Sequence, residues 1–400
     1  MINVKMSDLS AGGSAIRVMF EEGNRLAALY GRDKVFDFSI GNPNFPAPPE
    51  VNRAIRELVD TQDPVYLHGY MPNPGYPEVR QAVADWLNGK YGTHYGVGQI
   101  IMTCGAAGGL NLVLKTLLNE GEEVLTFAPY FFEYGRYVGN YGGVFRVVPA
   151  DTETFQPNVE ALGAMLTPKT KAIIVNSPNN PTGVIYSEEV IRRLAALLEE
   201  KQREFGTSIY LISDEPYREL AYDGAVVPWL PNYYRNTIVG YSWSKALSLP
   251  GERIGYLAVS PEADDSALIC DAVVIANRIC GFINAPSLMQ LVVAKCLDAR
   301  VDLSGYDENR RLLYQGLTDL GYECVFPQGA FYLWMKTPCP DTEFDKAAMK
   351  QNIMVVNGTA FGCPGYTRIA YCVNKSTIVN SMPGFAALAK QYGLTPRKAE

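Results

Sequence analysis

Between residues 100 and 259 the chain repeats one pattern, a short run of β-branched, aliphatic or aromatic residues followed by a stretch with apolar residues at helical spacing. The runs are Ile100–Thr103, Glu123–Phe127, Val144–Val148, Lys171–Asn176, Ser208–Ser213, Thr237–Tyr241 and Ile254–Val259, and helical spacing fills Pro77–Asn88, Gly105–Leu118 and Glu188–Glu204. Strand and helix patterns in alternation are the signature of βα units, so the spacing predicts an α/β fold with a large domain built on a mainly parallel seven-stranded sheet covered by helices.

The two ends read differently. A helix is expected from Ser14 to Tyr30, where Ile16, Met19, Phe20, Leu26 and Ala27 share a face and Gly31 stops the run. Val35–Ile40 then reads as a strand entering Gly41-Asn42-Pro43-Asn44-Phe45-Pro46, where glycine and two prolines forbid regular structure. Past Leu303 come a helix (Asp307–Leu320), strands at Glu323–Phe326 and Ala330–Met335, a helix (Phe344–Gln351), a strand (Arg368–Val373) and a closing helix (Lys375–Tyr392). At 400 residues the chain is too long for one ordinary core. The expected division is 1–45 as an N-terminal arm and part of a small domain, 46–303 as the large domain, and 304–400 as the small α+β domain.

Composition narrows the function classes. A hydrophobic content of 48% with 19% charged residues is globular. The net charge of −7, with no Lys/Arg-rich block, argues against a nucleic-acid partner. Met1–Asp8 lacks the apolar core of a signal peptide and no apolar run reaches spanning length, so a soluble cytoplasmic protein with no membrane partner is expected. The eight cysteines show no C-x-x-C spacing, and His68 and His94 lie far apart, which leaves little material for disulfides, a metal site or a Ser-His triad.

In open α/β sheets ligands bind beyond the carboxyl ends of strands, so the residues that follow each run carry the chemistry. Ile100–Thr103 leads to Cys104-Gly105-Ala106-Ala107-Gly108-Gly109, small residues at a helix start where backbone N–H groups and the helix dipole favour an anion. Lys171–Asn176, Ser208–Ser213 and Thr237–Tyr241 deliver Pro178-Asn179-Asn180-Pro181-Thr182-Gly183, Asp214-Glu215-Pro216-Tyr217 and Ser242-Trp243-Ser244-Lys245, with Gly251-Glu252-Arg253-Ile254-Gly255-Tyr256 close behind. An amine for a carbonyl, a carboxylate for a ring nitrogen and a guanidinium for a phosphate are what an enzyme supplies to hold pyridoxal 5'-phosphate. This set of motifs, in this order and across essentially the whole chain, resembles the fold-type I, class I/II aminotransferases that use that cofactor.

The resemblance implies roles. Lys245 matches the lysine that holds the cofactor as a Schiff base and shuttles the substrate Cα proton. Asp214 matches the carboxylate paired with the ring nitrogen, and Tyr217 and Asn180 resemble the pair that hydrogen-bond the ring oxygen. The phosphate would rest on the Gly105, Ala106 and Ala107 backbone, Ser242 and Arg253; Ala106-Ala107 departs from the commoner pattern, which has a Ser or Thr hydroxyl there. Tyr130 resembles the aromatic that stacks on the ring, and Arg368 the arginine that grips the substrate α-carboxylate, with a backbone N–H from Gly41. Tyr70 matches a tyrosine that reaches the phosphate of a neighbouring subunit, which implies a homodimer with shared sites. Arg278 lies near the segment where aspartate-specific relatives carry a second arginine, while Phe45, Tyr70, Phe131 and Phe361 suit a neutral or aromatic substrate.

The expected activity is ping-pong transamination between an α-amino acid and a 2-oxo acid. A β-lyase or cyclising synthase would use the same electron sink, and a non-catalytic cofactor-binding regulator is a third reading.

Overall fold

In the computed structural model, which describes residues 2–12 and 15–397, the strands in chain order are β1 (Phe36–Asp37), β2 (Ile100–Thr103), β3 (Glu123–Phe127), β4 (Val144–Val148), β5 (Thr170–Asn176), β6 (Tyr210–Asp214), β7 (Thr237–Ser242) and β8 (Gly255–Val259). They are followed by β9 (Cys324–Val325), β10 (Tyr332–Lys336), β11 (Ile353–Met354), β12 (Val356–Asn357) and β13 (Tyr366–Ala370). All seven strands expected in the middle of the chain are present and form one sheet in the order β2-β8-β7-β6-β5-β3-β4. Strands β6, β7 and β8 are buried at every position and are mostly apolar, with polar residues confined to the ends of β6 and β7, as expected of a sheet covered on both faces.

The covering helices are amphipathic. In helix Glu188–Phe205 the residues Ile191, Leu194, Ala195, Leu198 and Gln202 are buried on one face. Ser187 caps its start by accepting from the Val190 N–H, and Gly206 ends it in a left-handed conformation at φ 68°.

The sheet is parallel except for β8, which runs against both of its neighbours, β7 and β2. This reversal matters for the site. The residue before β8 lies at the same edge as the residues after β2, β5, β6 and β7, so Arg253 joins residues that follow strands although it precedes one.

The chain ends combine in a second, smaller layer. β1 pairs in parallel with β11, and β12-β13-β10-β9 form an antiparallel sheet. Phe38 packs in the same buried cluster as Tyr306, Phe331, Phe344 and Phe385. The expected strand over 35–40 is only Phe36–Asp37, because Phe38 turns to share its backbone groups between Met354 and Ala370. The leading helix runs Ala15–Tyr30, and Ser14 lies outside the described residues. A helix at Val4–Gly12 was not expected from the sequence. The small layer meets the large one where Ala221 bridges Gly329 and where the buried Arg310 holds Asp223, Asp307 and the Pro327 carbonyl.

Gly255 opens β8 opposite both Ser242 and Thr103. A Cβ there would run into the Tyr241 carbonyl oxygen and come within 3.0 Å of the Gly105 backbone. Gly255→Ala must therefore push the start of helix Gly105–Leu117 away from the sheet. We expect a loss of about 2 kcal/mol in stability, read as a lower urea midpoint with an unchanged slope.

Candidate active site

The register of the sheet brings the polar residues together before any side chain is considered. Asn176 pairs with Asp214, Asp214 with Gly240, Ser242 with Gly255, and Gly255 with Thr103, so the ends of β5, β6, β7 and β2 share one edge. Above that edge is a cavity of about 360 Å³, within the range of a small-molecule cofactor site. Ala106, Ala107, Asn180, Asp214, Tyr217, Ser242, Lys245, Arg253, Arg368 and Gly41 all line it.

Asp214 ends β6 and is buried. Its Oδ2 accepts from the Tyr134 hydroxyl at 2.5 Å, while Oδ1 is buried with no partner. Burial pushes the carboxyl up to about 7 against the opposing pull of the Tyr134 hydrogen bond. An unpaired carboxylate oxygen at a cavity wall is a site for a cationic nitrogen.

Lys245 sits in the short helix Trp243–Ala246 that follows β7, whose start is capped by Ser242 accepting from the Ser244 N–H at 3.1 Å. Its Nζ donates to the Gly41 carbonyl at 2.7 Å. Burial lowers its pKa to about 8, partly offset by the neighbouring Cys372 thiol and helped by repulsion from Arg368 and Arg253. Lys245 is the buried amine of the cavity, and a share of it is neutral near physiological pH.

Arg368, on β13, is buried to 1% exposure. Its Nη1 donates to Asn180 Oδ1 at 3.0 Å and its Nη2 to the Ser39 carbonyl at 2.5 Å, while Nε has no partner. The guanidinium lies over the Tyr332 ring, 4.5 Å from its centroid, and near Phe361 at 4.9 Å. Asn180 is itself fixed, since its N–H donates to Asn176 Oδ1 at 2.7 Å.

At the opposite end, Arg253 has a left-handed backbone at φ 52° and donates to the Pro250 carbonyl at 3.1 Å and the Cys104 carbonyl at 3.4 Å. A non-glycine residue in that region is strained, and such strain concentrates at ligand sites. The Ser242 and Ser244 hydroxyls are 2.7 Å apart. With the N-terminus of helix Gly105–Leu117 they form a cradle of donors for an anion. This donor set, the unpaired Asp214 oxygen and the buried amine fit pyridoxal phosphate.

Gly105 starts the adjoining helix without itself lining the cavity, and two further expected residues lie elsewhere. Tyr130 does not line the cavity: its N–H donates to the Phe361 carbonyl at 3.1 Å and its ring packs edge-on against Phe145 at 5.2 Å and beside Gly362. Its neighbour Phe131 lines the cavity instead, a shift of one residue in Ala128-Pro129-Tyr130-Phe131. Tyr70 is 89% exposed and shares a separate surface cavity with Arg278. The structure also adds Tyr134, Tyr137 and Tyr332, which carry no motif signal, and gives the Gly41 carbonyl a role as acceptor for Lys245.

Among the described residues no group of three or more His, Cys, Asp or Glu side chains is placed to hold a metal, and no helix is long and apolar enough to cross a membrane. The described cysteines are all unpaired.

Known proteins resemble this chain in sequence and in fold. The chain is 33% identical over 353 residues to a probable aspartate/prephenate aminotransferase of Thermus aquaticus, covering 86% of this chain and 89% of that one. A crystal structure of an amino transferase from Eubacterium rectale superposes with a TM-score of 0.96 at 46% identity, over 98% of this chain and 99% of that one. The aspartate aminotransferase of Thermus thermophilus with maleate gives a TM-score of 0.83 at 28% identity, over 94% and 97%. Residues 33–381 match the family described as aminotransferase class I and II, and the chain belongs to that family of pyridoxal-phosphate-dependent enzymes.

Proposed function

We propose that Lys245, Asp214, Arg253 and Arg368 carry the reaction at this one cavity. As a member of its family the protein is a pyridoxal-phosphate-dependent aminotransferase that uses amino acid and oxo acid substrates. When bound, the cofactor supplies a carbonyl for amines and a ring that accepts the electron pair left at the substrate Cα. The observation that carries the assignment is the convergence of a buried amine, an unpaired buried carboxylate oxygen and two guanidiniums on the same walls.

Asp214 would hold a positive charge at the ring nitrogen. Arg253, Ser242 and the backbone of residues 105–107 would hold the phosphate. Tyr217 and Asn180 would hydrogen-bond the ring oxygen, and Phe131, which lines the cavity, would pack against the ring. Arg368, oriented by Asn180 and Ser39, presents its guanidinium to the substrate α-carboxylate. The Lys245 amine would take the proton from Cα and return it on the far side of the transfer. Arg368 and Lys245 together select a free α-amino acid, because one grips the carboxylate while the other reaches the adjoining carbon.

We further propose a homodimer, in which Tyr70, exposed and lining one surface cavity with Arg278, reaches the site of the neighbouring subunit. The chain divides at about 45 and 303 on this reading, supported by the pairing of β1 with β11.

Three outcomes test these roles. Borohydride treatment of the loaded wild-type protein should leave the reduced cofactor on the peptide that contains Lys245, and Lys245→Ala should show no adduct by mass spectrometry while keeping its thermal midpoint. Arg368→Lys should raise the amino-acid KM about tenfold or more, since lysine cannot copy the forked geometry, in steady-state assays with a range of amino acids.

The third outcome is a pH dependence. The folded cofactor-free protein keeps the Asp214 proton up to about pH 7, whereas the unfolded chain loses it near pH 4. Stability therefore falls as pH rises between those values, and the loss is complete above the higher one. Asp214→Asn, which can still accept from Tyr134, lacks this titration. Thermal melts of the two cofactor-free proteins from pH 4.5 to 8 should show the steeper fall in wild type; parallel curves would contradict it. Asp345, also raised to about 7 by burial, titrates equally in both.

A further inference from the structure

The Tyr217 hydroxyl has a partner that no motif marks. Tyr332, on β10, places its hydroxyl 2.8 Å from that of Tyr217. Both phenols are buried and both line the cavity. Between them they have two protons for one shared hydrogen bond, so the direction of that bond decides which proton points into the cavity.

The charges around the pair set the direction. Tyr332 lies opposite Ala370 in the β10–β13 ladder, on the same face as Arg368 two residues away, and the guanidinium rests on its ring at 4.5 Å. A cation over the ring makes its hydroxyl the better donor. Burial raises both phenols, Tyr332 to about 12, and Arg368 opposes the rise in both; at Tyr217 the neighbouring Tyr332 and then the Asp214 carboxylate add to it, which makes Tyr217 the weaker acid. Cys372 is the remaining titratable group beside Tyr332.

The fit is specific to this side chain. A Cβ at position 41 would coincide with the Tyr332 hydroxyl, so glycine is needed there, and the Gly41 carbonyl is what holds the Lys245 amine. One tyrosine thus touches the loop that positions Lys245, the guanidinium assigned to the substrate carboxylate, and the phenol assigned to the cofactor ring.

We propose that Tyr332 is a positioning residue, which donates its hydroxyl proton to Tyr217 and thereby commits the Tyr217 proton to the ring oxygen of the bound cofactor. This rests on the assignment of Tyr217 and Lys245 above. A proton donated to the ring oxygen draws electron density from the ring and makes the lysine-linked nitrogen a weaker base. Losing the Tyr332 hydroxyl weakens that donation while leaving the ring under Arg368.

The test is a pH titration of the visible absorbance of the holoenzyme. Tyr332→Phe should move the midpoint up by about half a pH unit, since one bond in a chain polarises the next. Its kcat should fall about threefold, with the amino-acid KM within about twofold of wild type. In a Tyr217→Phe background the same change should add no further shift. Replacing Tyr332 with 3-fluorotyrosine, a stronger donor that keeps the shape, should move the midpoint down, and this variant decides the matter if Tyr332→Phe does not fold. A midpoint unmoved or moved the opposite way in the fluorinated protein overturns the proposal. A purely structural role would lower the thermal midpoint or raise KM without moving the titration. If wild-type protein yields no borohydride adduct at Lys245, the assignment of the lysine and this proposal fall together; an adduct with an unmoved midpoint removes this proposal alone.

Discussion

Asp214 is buried with one carboxylate oxygen unpaired, and the rest of the site is arranged around tolerating that state. A lone buried carboxylate is costly unless it is protonated or meets a cation, because desolvation penalises the charged form. The protein supplies one hydrogen bond, from Tyr134, and no positive side chain touches the free oxygen. The carboxyl is therefore pushed up to about 7 until a cation arrives, and the fold must hold it in place meanwhile. It does so with the middle of the sheet, where β6 lies between β5 and β7 and has no solvent-facing residue.

The same reasoning explains why the cations stand where they do. Arg368 is as deeply buried as Asp214, with its Nε unpaired, yet it sits on the smaller sheet. Asp214 and Arg368 can serve one ligand only if the two layers are fixed relative to each other. The buried Arg310, tied to Asp223 near the large sheet and to Pro327 near the small one, is suited to that task because a guanidinium can satisfy several acceptors at fixed angles. Arg253 enters from the third direction through the reversed strand β8. The three charges face one cavity from three elements, so a rearrangement of any one changes the distances among all of them.

Much of this was legible in the residues. The seven central strands were readable because doubly buried strands leave continuous apolar runs, and the residues after β5, β6 and β7 were readable because strand ends localise function in such sheets. The reversal of β8 was not, since a strand's direction leaves no mark in its own composition. Tyr130 resembles the ring-stacking aromatic in Ala128-Pro129-Tyr130-Phe131, yet its N–H is tied to the Phe361 carbonyl and the next ring lines the cavity, a one-residue difference that no motif marks. Tyr134 and Tyr332 lie inside an ordinary helix and an ordinary strand, where an inward hydroxyl looks like any core tyrosine. Tyrosines that act through another side chain depend on partners distant in sequence, such as Asp214 for Tyr134, 80 positions away.

The lysine's charge state joins these pieces. Burial, aided by weaker repulsion from Arg368 and Arg253, lowers the Lys245 ammonium to about 8. Those two guanidiniums are also the ones assigned to anions, the phosphate and the substrate carboxylate. An anion that neutralises either one removes part of the repulsion, so its binding makes Lys245 more basic, and by linkage the protonated lysine favours anion binding in return. The empty cavity thus keeps its amine poised as a nucleophile, and filling the anion sites shifts the same amine toward holding a proton. A base that takes a proton from carbon is strengthened by that change, and the placement of two arginines around one buried lysine links it to the binding of the anions.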